Sequence, residues 1–205
     1  MEMSRREAIR KHYEHRIRPD RESYQVLDWL SPASQRTRFE VLAREVDLEG
    51  RSLLDVGSGL GDLWAFLKER GIRASYTGVD ILEDMVAEAS RRHPAAEFVL
   101  GDIFRADLFG DRRFDVVFCS GAFNLNLGNN REFLPAAVRR MAERAREYVV
   151  FNLLHARCPA SDPRYAHYDP REVVEDIAGE QLDIRVVEDY LPNDFTVVCR
   201  LRTAH

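Results

Sequence analysis

Residues 53–63 read LLDVGSGLGDL, an apolar strand that breaks into three alternate glycines and then into an amphipathic helix. Glycine takes turns closed to side chains and lets a ligand lie directly against main-chain atoms. Gly57, Gly59 and Gly61 therefore predict a nucleotide-shaped opening at the end of the strand, where a side chain would occupy the ligand's space. A dinucleotide fingerprint, G-x-G-x-x-G/A, needs a small residue at position 62; this chain has Asp62. A pyrophosphate is favoured by bare amides at a helix N-terminus with no carboxylate nearby. Asp55 and Asp62 instead predict a ligand that carries an ammonium or sulfonium.

Three more segments keep step with this one. YTGVDIL, residues 76–82, is a second buried-strand pattern ending in Asp80, where a carboxylate can accept both hydroxyls of a ribose. FVLGDIF, residues 98–104, puts Gly101 and Asp102 after a third strand, with Asp102 able to receive an adenine amino group while Ile103 packs the ring. FDVVFCSGAFNL, residues 114–125, is the fourth. Each motif ends a predicted strand, and in an open parallel sheet that edge binds ligands.

Together these residues resemble motif I and the following motifs of the class I S-adenosylmethionine-dependent methyltransferases, over roughly residues 50 to 155. The resemblance implies a three-layer α/β Rossmann-like fold, with a mostly parallel seven-stranded sheet and a terminal antiparallel hairpin. It implies S-adenosylmethionine as cofactor and S-adenosylhomocysteine as product. Asp55, Gly57, Ser58, Gly59, Gly61 and Asp62 would hold the methionine part, Asp80 and Ile81 the ribose side, and Gly101, Asp102 and Ile103 the adenine. Ser120 and Gly121 would touch the cofactor through their backbone. In the family, N-terminal helices form a lid over the cofactor, and Tyr24 and Trp29 are aromatics able to flank it or to pin the segment to the core.

Along the chain, residues 4–16 predict a helix with Ser4 and Glu7 as a capping box, and a second helix starts at Ser31-Pro32. Strands are expected to Val56 and at 75–80, 96–100, 114–119, 148–154, 183–189 and 195–201. Helices are expected at 60–70, 82–92 and 130–146, with Pro135 delaying the regular part of the last. Asp169-Pro170 with Glu172 starts another helix that Gly179 stops. The short DYLPND join makes the last two strands a hairpin, because a parallel return needs a dozen residues or more. The expected organisation is a single domain, residues 1–205, with lid helices in 1–48 and a cofactor-binding core in 49–205.

The formal net charge of −5 in 205 residues argues against a nucleic-acid partner, which calls for a basic face. Three widely spaced cysteines, Cys119, Cys158 and Cys199, suggest neither a disulfide framework nor a metal site. The charged N-terminus and the lack of a long apolar run predict a soluble, cytoplasmic protein with no membrane association. The sequence carries no signal of oligomeric state.

Methyl transfer is an in-line displacement that asks mainly for alignment and exclusion of water, with a general base when the acceptor must lose a proton. The acceptor is expected to be a small molecule bearing oxygen or nitrogen, contacted by Phe123, Asn124, Asn152, Tyr168, Asp189 and Tyr190. His155, just past a strand end, is the candidate base, with Asn124 beside it as a second catalytic candidate and Asp194 as a hairpin cap. The tail, YDP at 168–170 and DYLPNDFTV at 189–197, looks like that of small stand-alone bacterial methyltransferases. The chain reads CSGAFN where amino-methylating enzymes carry [D/N]-P-P-[Y/F], and it has no Pro-Cys nucleophile there, which disfavours adenine, glutamine-amide and 5-cytosine methylation. Two other readings stand beside this one: a non-catalytic S-adenosylmethionine-binding regulatory or scaffolding protein, and a nicotinamide-dependent oxidoreductase, which Asp62 disfavours.

Overall fold

In a computed structural model, which describes residues 5–18, 21–105, 107–158, 162–179 and 181–202, the predicted strands assemble into one seven-stranded sheet. Strand β1 (Ser52–Val56) lies between β2 (Ser75–Asp80) and β4 (Phe114–Ser120), parallel to both. β3 (Glu97–Leu100) adds to β2 and β5 (Ala145–Leu154) to β4, again in parallel. The chain then passes through β6 (Leu182–Val187) at the edge and returns as β7 (Asp194–Leu201), antiparallel to both β6 and β5, so the order is β3-β2-β1-β4-β5-β7-β6. The parallel sheet with a terminal antiparallel hairpin is the expected architecture.

Successive strand residues point to opposite faces, and both faces are covered. Leu53, Val116, Phe118, Val150 and Val198 pack under α3 (Pro32–Glu45) and α4 (Asp62–Glu69) with Phe39, Leu42, Phe66 and Leu67. Their neighbours Leu54, Val117, Val149, Phe151 and Val197 pack under α6 (Asn130–Arg144) and α7 (Pro170–Ile177) with Leu134, Met141, Val173 and Ile177. Burial on both sides is why these strands are continuously apolar. α5 (Glu83–Arg92) connects β2 to β3. Caps fix the helix starts: the Ser31 hydroxyl accepts from the Ser34 amide at 3.1 Å, and the Asp169 carboxylate accepts from the Arg171 amide at 2.8 Å, each followed by proline at the first helical position.

The N-terminal segment departs from expectation. α1 runs Arg5–Tyr13 and ends in a 3-10 turn, Glu14–Arg16; Ser4 of the expected capping box lies outside the described residues. The stretch expected as a linker contains a one-turn helix, α2 (Ser23–Val26), too short for periodicity to reveal. α6 is helical from Asn130 with Pro135 inside, because a missing N–H so near the N-terminus loses only one bond. β6 stops at Val187, which leaves Asp189 and Tyr190 in a bend rather than at a strand end. Among the described residues no helix is long and apolar enough to cross a membrane.

Candidate active site

The connections from β1 lead to β2 on one side and to β4 by way of β3 on the other, so a crevice opens at the carboxyl ends of the central strands. The glycine turn sits in it, with Gly57, Gly59 and Gly61 at φ 72°, 53° and 81°. Side chains are excluded there by protein rather than by ligand, which corrects the sequence expectation. A Cβ on Gly59 would lie 2.7 Å from Leu27, one on Gly61 2.7 Å from His93 and Phe98, and one on Gly57 3.0 Å from Ala122. The turn is pinned to β2: the amides of Gly57 and Ser58 donate to the Val79 carbonyl at 2.8 and 3.1 Å, and the Gly59 amide donates to Asp80 Oδ2 at 3.0 Å. Asp80 Oδ1 accepts from the Leu82 amide at 2.9 Å, so this carboxylate organises two turns while facing the crevice.

A cavity of about 550 Å³ lies between this edge and the N-terminal helices. Of the residues assigned to the cofactor from sequence, Asp55, Gly57, Ser58, Gly59, Asp62, Asp80, Ile81, Gly101, Asp102, Ile103, Ser120, Gly121 and Trp29 line it. α1 presents Arg5, Ile9 and Tyr13 to the cavity, spaced four residues apart on one helix face. Leu27, Asp28, Trp29 and Leu30, just after α2, close the other side. Leu27 packs on Gly59, Trp29 stands over Gly121, and Ser23 together with Gln35 Nε2, at 2.9 Å, hydrogen-bonds Asp62.

Burial dominates the electrostatics of the floor. Asp55 is pushed up to about 7 by desolvation, against the opposing hydrogen bond from the Tyr76 hydroxyl at 2.8 Å and with help from Asp80 and Asp62. Burial raises Asp80 as well, opposed by its backbone amides. Three carboxylates crowded in this way are relieved by a cation. Four lining residues carry a buried polar atom with no partner among the described residues: Arg5 Nη1, Trp29 Nε1, Ser58 Oγ and Asn124 Oδ1. Each such atom costs about 1–3 kcal/mol when unpaired, and four around one cavity mark where a ligand's polar groups belong.

Other assignments are displaced. His155 does not line the cavity; Nε2 meets Glu188 at 2.9 Å, Nδ1 accepts from the Arg157 amide at 3.1 Å, and the ring packs on Phe195. With both nitrogens engaged it is a structural histidine. Phe123 is buried core, and the Tyr168 hydroxyl donates to its carbonyl at 2.8 Å. Asn152 Oδ1 accepts from the Gly121 amide at 3.2 Å, so it shapes the turn after β4 from behind. Asp189 is exposed and pairs with Arg44. The Tyr190 hydroxyl donates to Asp194 at 2.6 Å, and Asp194 is no surface cap: it is fully buried against Arg38. Gly61 and Tyr24 also lie outside the cavity lining.

Of the residues expected to contact the acceptor only Asn124 lines the cavity, together with Tyr165 and His167, which the sequence places in the long loop after β5, and with Tyr13 and Asp28, not singled out from sequence. The i, i+4, i+8 spacing of Arg5, Ile9 and Tyr13 was a legible signal for α1. Asp28 had none. Its carboxylate meets Arg16 Nη1 at 2.7 Å, His12 Nε2 at 3.1 Å and the Tyr165 hydroxyl, from a backbone at φ 61°.

A family model described as a methyltransferase domain matches residues 53–155. The chain is similar to a demethylmenaquinone methyltransferase of Thermotoga maritima, 28% identical over 65% of this chain and 58% of that protein. It is similar also to a trans-aconitate 2-methyltransferase of Delftia acidovorans, 30% identical over 57% of this chain and 46% of that protein. The chain thus spans about half the length of these curated relatives. Among solved structures it shares the fold of a magnesium protoporphyrin IX methyltransferase from Synechocystis with bound S-adenosylmethionine, at TM-score 0.69 and 15% identity over 98% of both chains.

Proposed function

The chain belongs to the methyltransferase domain family, whose cofactor is S-adenosylmethionine, and from that premise we propose that its cavity holds this cofactor and passes the methyl group to a small molecule through oxygen or nitrogen. The observation that carries this reading is the convergence of Asp55, Asp62 and Asp80 beside the glycine turn, a floor that stabilises a cation and repels a pyrophosphate. The volume suits it, since small-molecule sites run to roughly 300–1,000 Å³.

In this reading Asp80 accepts the ribose hydroxyls with Ile81 alongside, Asp102 and Ile103 take the adenine at Gly101, and Ser120 and Gly121 border the cofactor through their backbone. Ser58 and the glycine turn, with Asp55 and Asp62, hold the amino-acid part, and Trp29 closes over it. When bound, the cofactor supplies a methyl group made electrophilic by positive sulfur. The chain's share is to align an acceptor and exclude water, with residues 1–48 as lid and 49–205 as core of one domain.

Calorimetric titration with S-adenosylmethionine, S-adenosylhomocysteine and NAD tests the assignment. Binding of the first two and not of NAD is expected. NAD binding, or a folded and unliganded protein that binds none of the three, overturns it.

A further inference from the structure

Arg5, the first residue of α1, is joined to the end of β3 by a chain of contacts through α6. Its guanidinium lies 3.7 Å over the Phe133 ring, and that ring meets Phe104 edge-on with centroids 5.3 Å apart. The Phe104 amide in turn donates to Asp102 Oδ1 at 2.9 Å. Arg5, Asp102, Ile103 and Phe104 all line the cavity. The cavity therefore carries a guanidinium and a carboxylate at one end, with an aromatic ring and the buried Ile103 as its apolar wall.

The charge of Arg5 is met, but its hydrogen-bonding capacity is not. Burial works against that charge, while Tyr168 and Asp102 favour it and the face of Phe133 attracts it. Nη1 is nonetheless buried with no hydrogen-bond partner among the described residues. A guanidinium donates and cannot accept, so the missing partner is an acceptor. A carboxylate from a ligand would come to rest in the field of Asp102, and like charges disfavour one another. A neutral lone pair meets no such repulsion. Adenine offers one in the required order, because its exocyclic amine donates and the ring nitrogens on either side, N1 and N7, accept.

We infer, resting on the methyltransferase reading, that Arg5 is a specificity residue for the cofactor: Nη1 donates to the adenine ring nitrogen, N1 or N7, beside the amine that Asp102 receives. The base is then read from two sides, by a carboxylate that follows β3 and by a cation carried on the first helix. Without the base, Arg5 Nη1 stays buried and unpaired, which penalises any ligand that places a C–H there.

The test is calorimetry on the full chain with S-adenosylhomocysteine and with its 7-deaza and 1-deaza analogues, in which N7 or N1 is replaced by C–H. Failure of S-adenosylhomocysteine to bind the folded wild type would overturn the cofactor reading itself, before any analogue is compared. With that binding in hand, one of the two analogues is expected to bind wild type about tenfold or more weakly, as for a lost hydrogen bond to a charged group. Arg5→Met keeps the length of the side chain over Phe133 and removes every donor; Arg5→Ala takes its place if that variant does not fold. The variant is expected to bind S-adenosylhomocysteine about tenfold or more weakly and to hold the discriminated analogue within twofold of it, since the partner of the missing nitrogen is gone. Both analogues binding wild type as tightly as S-adenosylhomocysteine overturns the inference. So does a folded variant that keeps wild-type affinity for S-adenosylhomocysteine, which would leave Arg5 to another ligand, or one that still discriminates against the analogue as wild type does.

Discussion

Asp55 couples the chemistry of the site to the stability of the fold. Its carboxyl is raised to about 7 by burial, whereas an aspartate in an unfolded chain titrates near ~3.9. Between those values the native state holds a proton that the unfolded state has released, so this group's stabilisation falls as pH rises from about 4 to about 7. At ~1.4 kcal/mol per unit the loss approaches ~4 kcal/mol. Asp55→Asn, which keeps an acceptor for the Tyr76 hydroxyl, is expected to melt higher than wild type at pH 8 and to lose that advantage at pH 4. It should also bind S-adenosylmethionine more weakly; thermal melts and calorimetry check both. Asp80→Ala is expected to cost ~1–3 kcal/mol of cofactor binding, and unchanged affinity would sink the ribose assignment. Asp55, Asp80 and Asp102 were legible because each stands within two residues of the end of an apolar strand. His155 and His167 were not separable in this way. They share one loop, and it is the pairing of residues 165–168 with Leu125 and His155 that puts His167 in the cavity wall and leaves the His155 ring against Glu188.

At the scale of elements, α1 and the end of α2 with the turn after it pack beside the cavity through Ile9, Tyr13, Val26 and Leu27, and Asp28 ties them together through His12, Arg16 and Tyr165. Burial works to raise its carboxyl, but hydrogen bonds from His12 and Tyr165 and the charge of Arg16 outweigh that and hold it well below the usual carboxylate range. A left-handed backbone at a non-glycine residue persists only where surroundings enforce it. Tyr165→Phe removes the bond from Asp28 to the loop after β5 while His12 and Arg16 remain. With about 1 kcal/mol at stake, cofactor dissociation is expected to accelerate roughly fivefold and amide exchange in α1 to rise, with the melting temperature little changed. Stopped-flow dissociation and hydrogen-exchange mass spectrometry check this; exchange unchanged in α1 would leave Asp28 no part in closure. The helix starts at Ser31 and Asp169 were readable from their caps, which are local. The bond that joins the N-terminal segment to the loop after β5 was not, since Asp28 and Tyr165 are 137 residues apart.

Across the whole molecule, the insertion of β7 between β5 and β6 is locked to α3 by Arg38 and Asp194, 156 residues apart and both buried. Burial raises the Asp194 carboxyl, opposed by the Arg38 charge and the Tyr190 hydroxyl. Asp194→Ala strands the guanidinium without its partner, which predicts a loss of ~3–5 kcal/mol, measurable as a lower urea midpoint. A midpoint unchanged from wild type would show the pair to be dispensable. The sequence by itself determined the strand and helix succession, the glycine turn and the carboxylates at or near the ends of the first three strands. Those features arise from hydrophobic period, turn chemistry and offsets of a few residues, which a linear chain displays. Only the tertiary structure decided which strand β7 joins, that Leu27 and Trp29 close on the glycines, and which loop side chains face the cavity. These depend on segments far apart in the chain meeting at hydrogen-bonding distance, and side-chain direction in a loop has no period from which to read it.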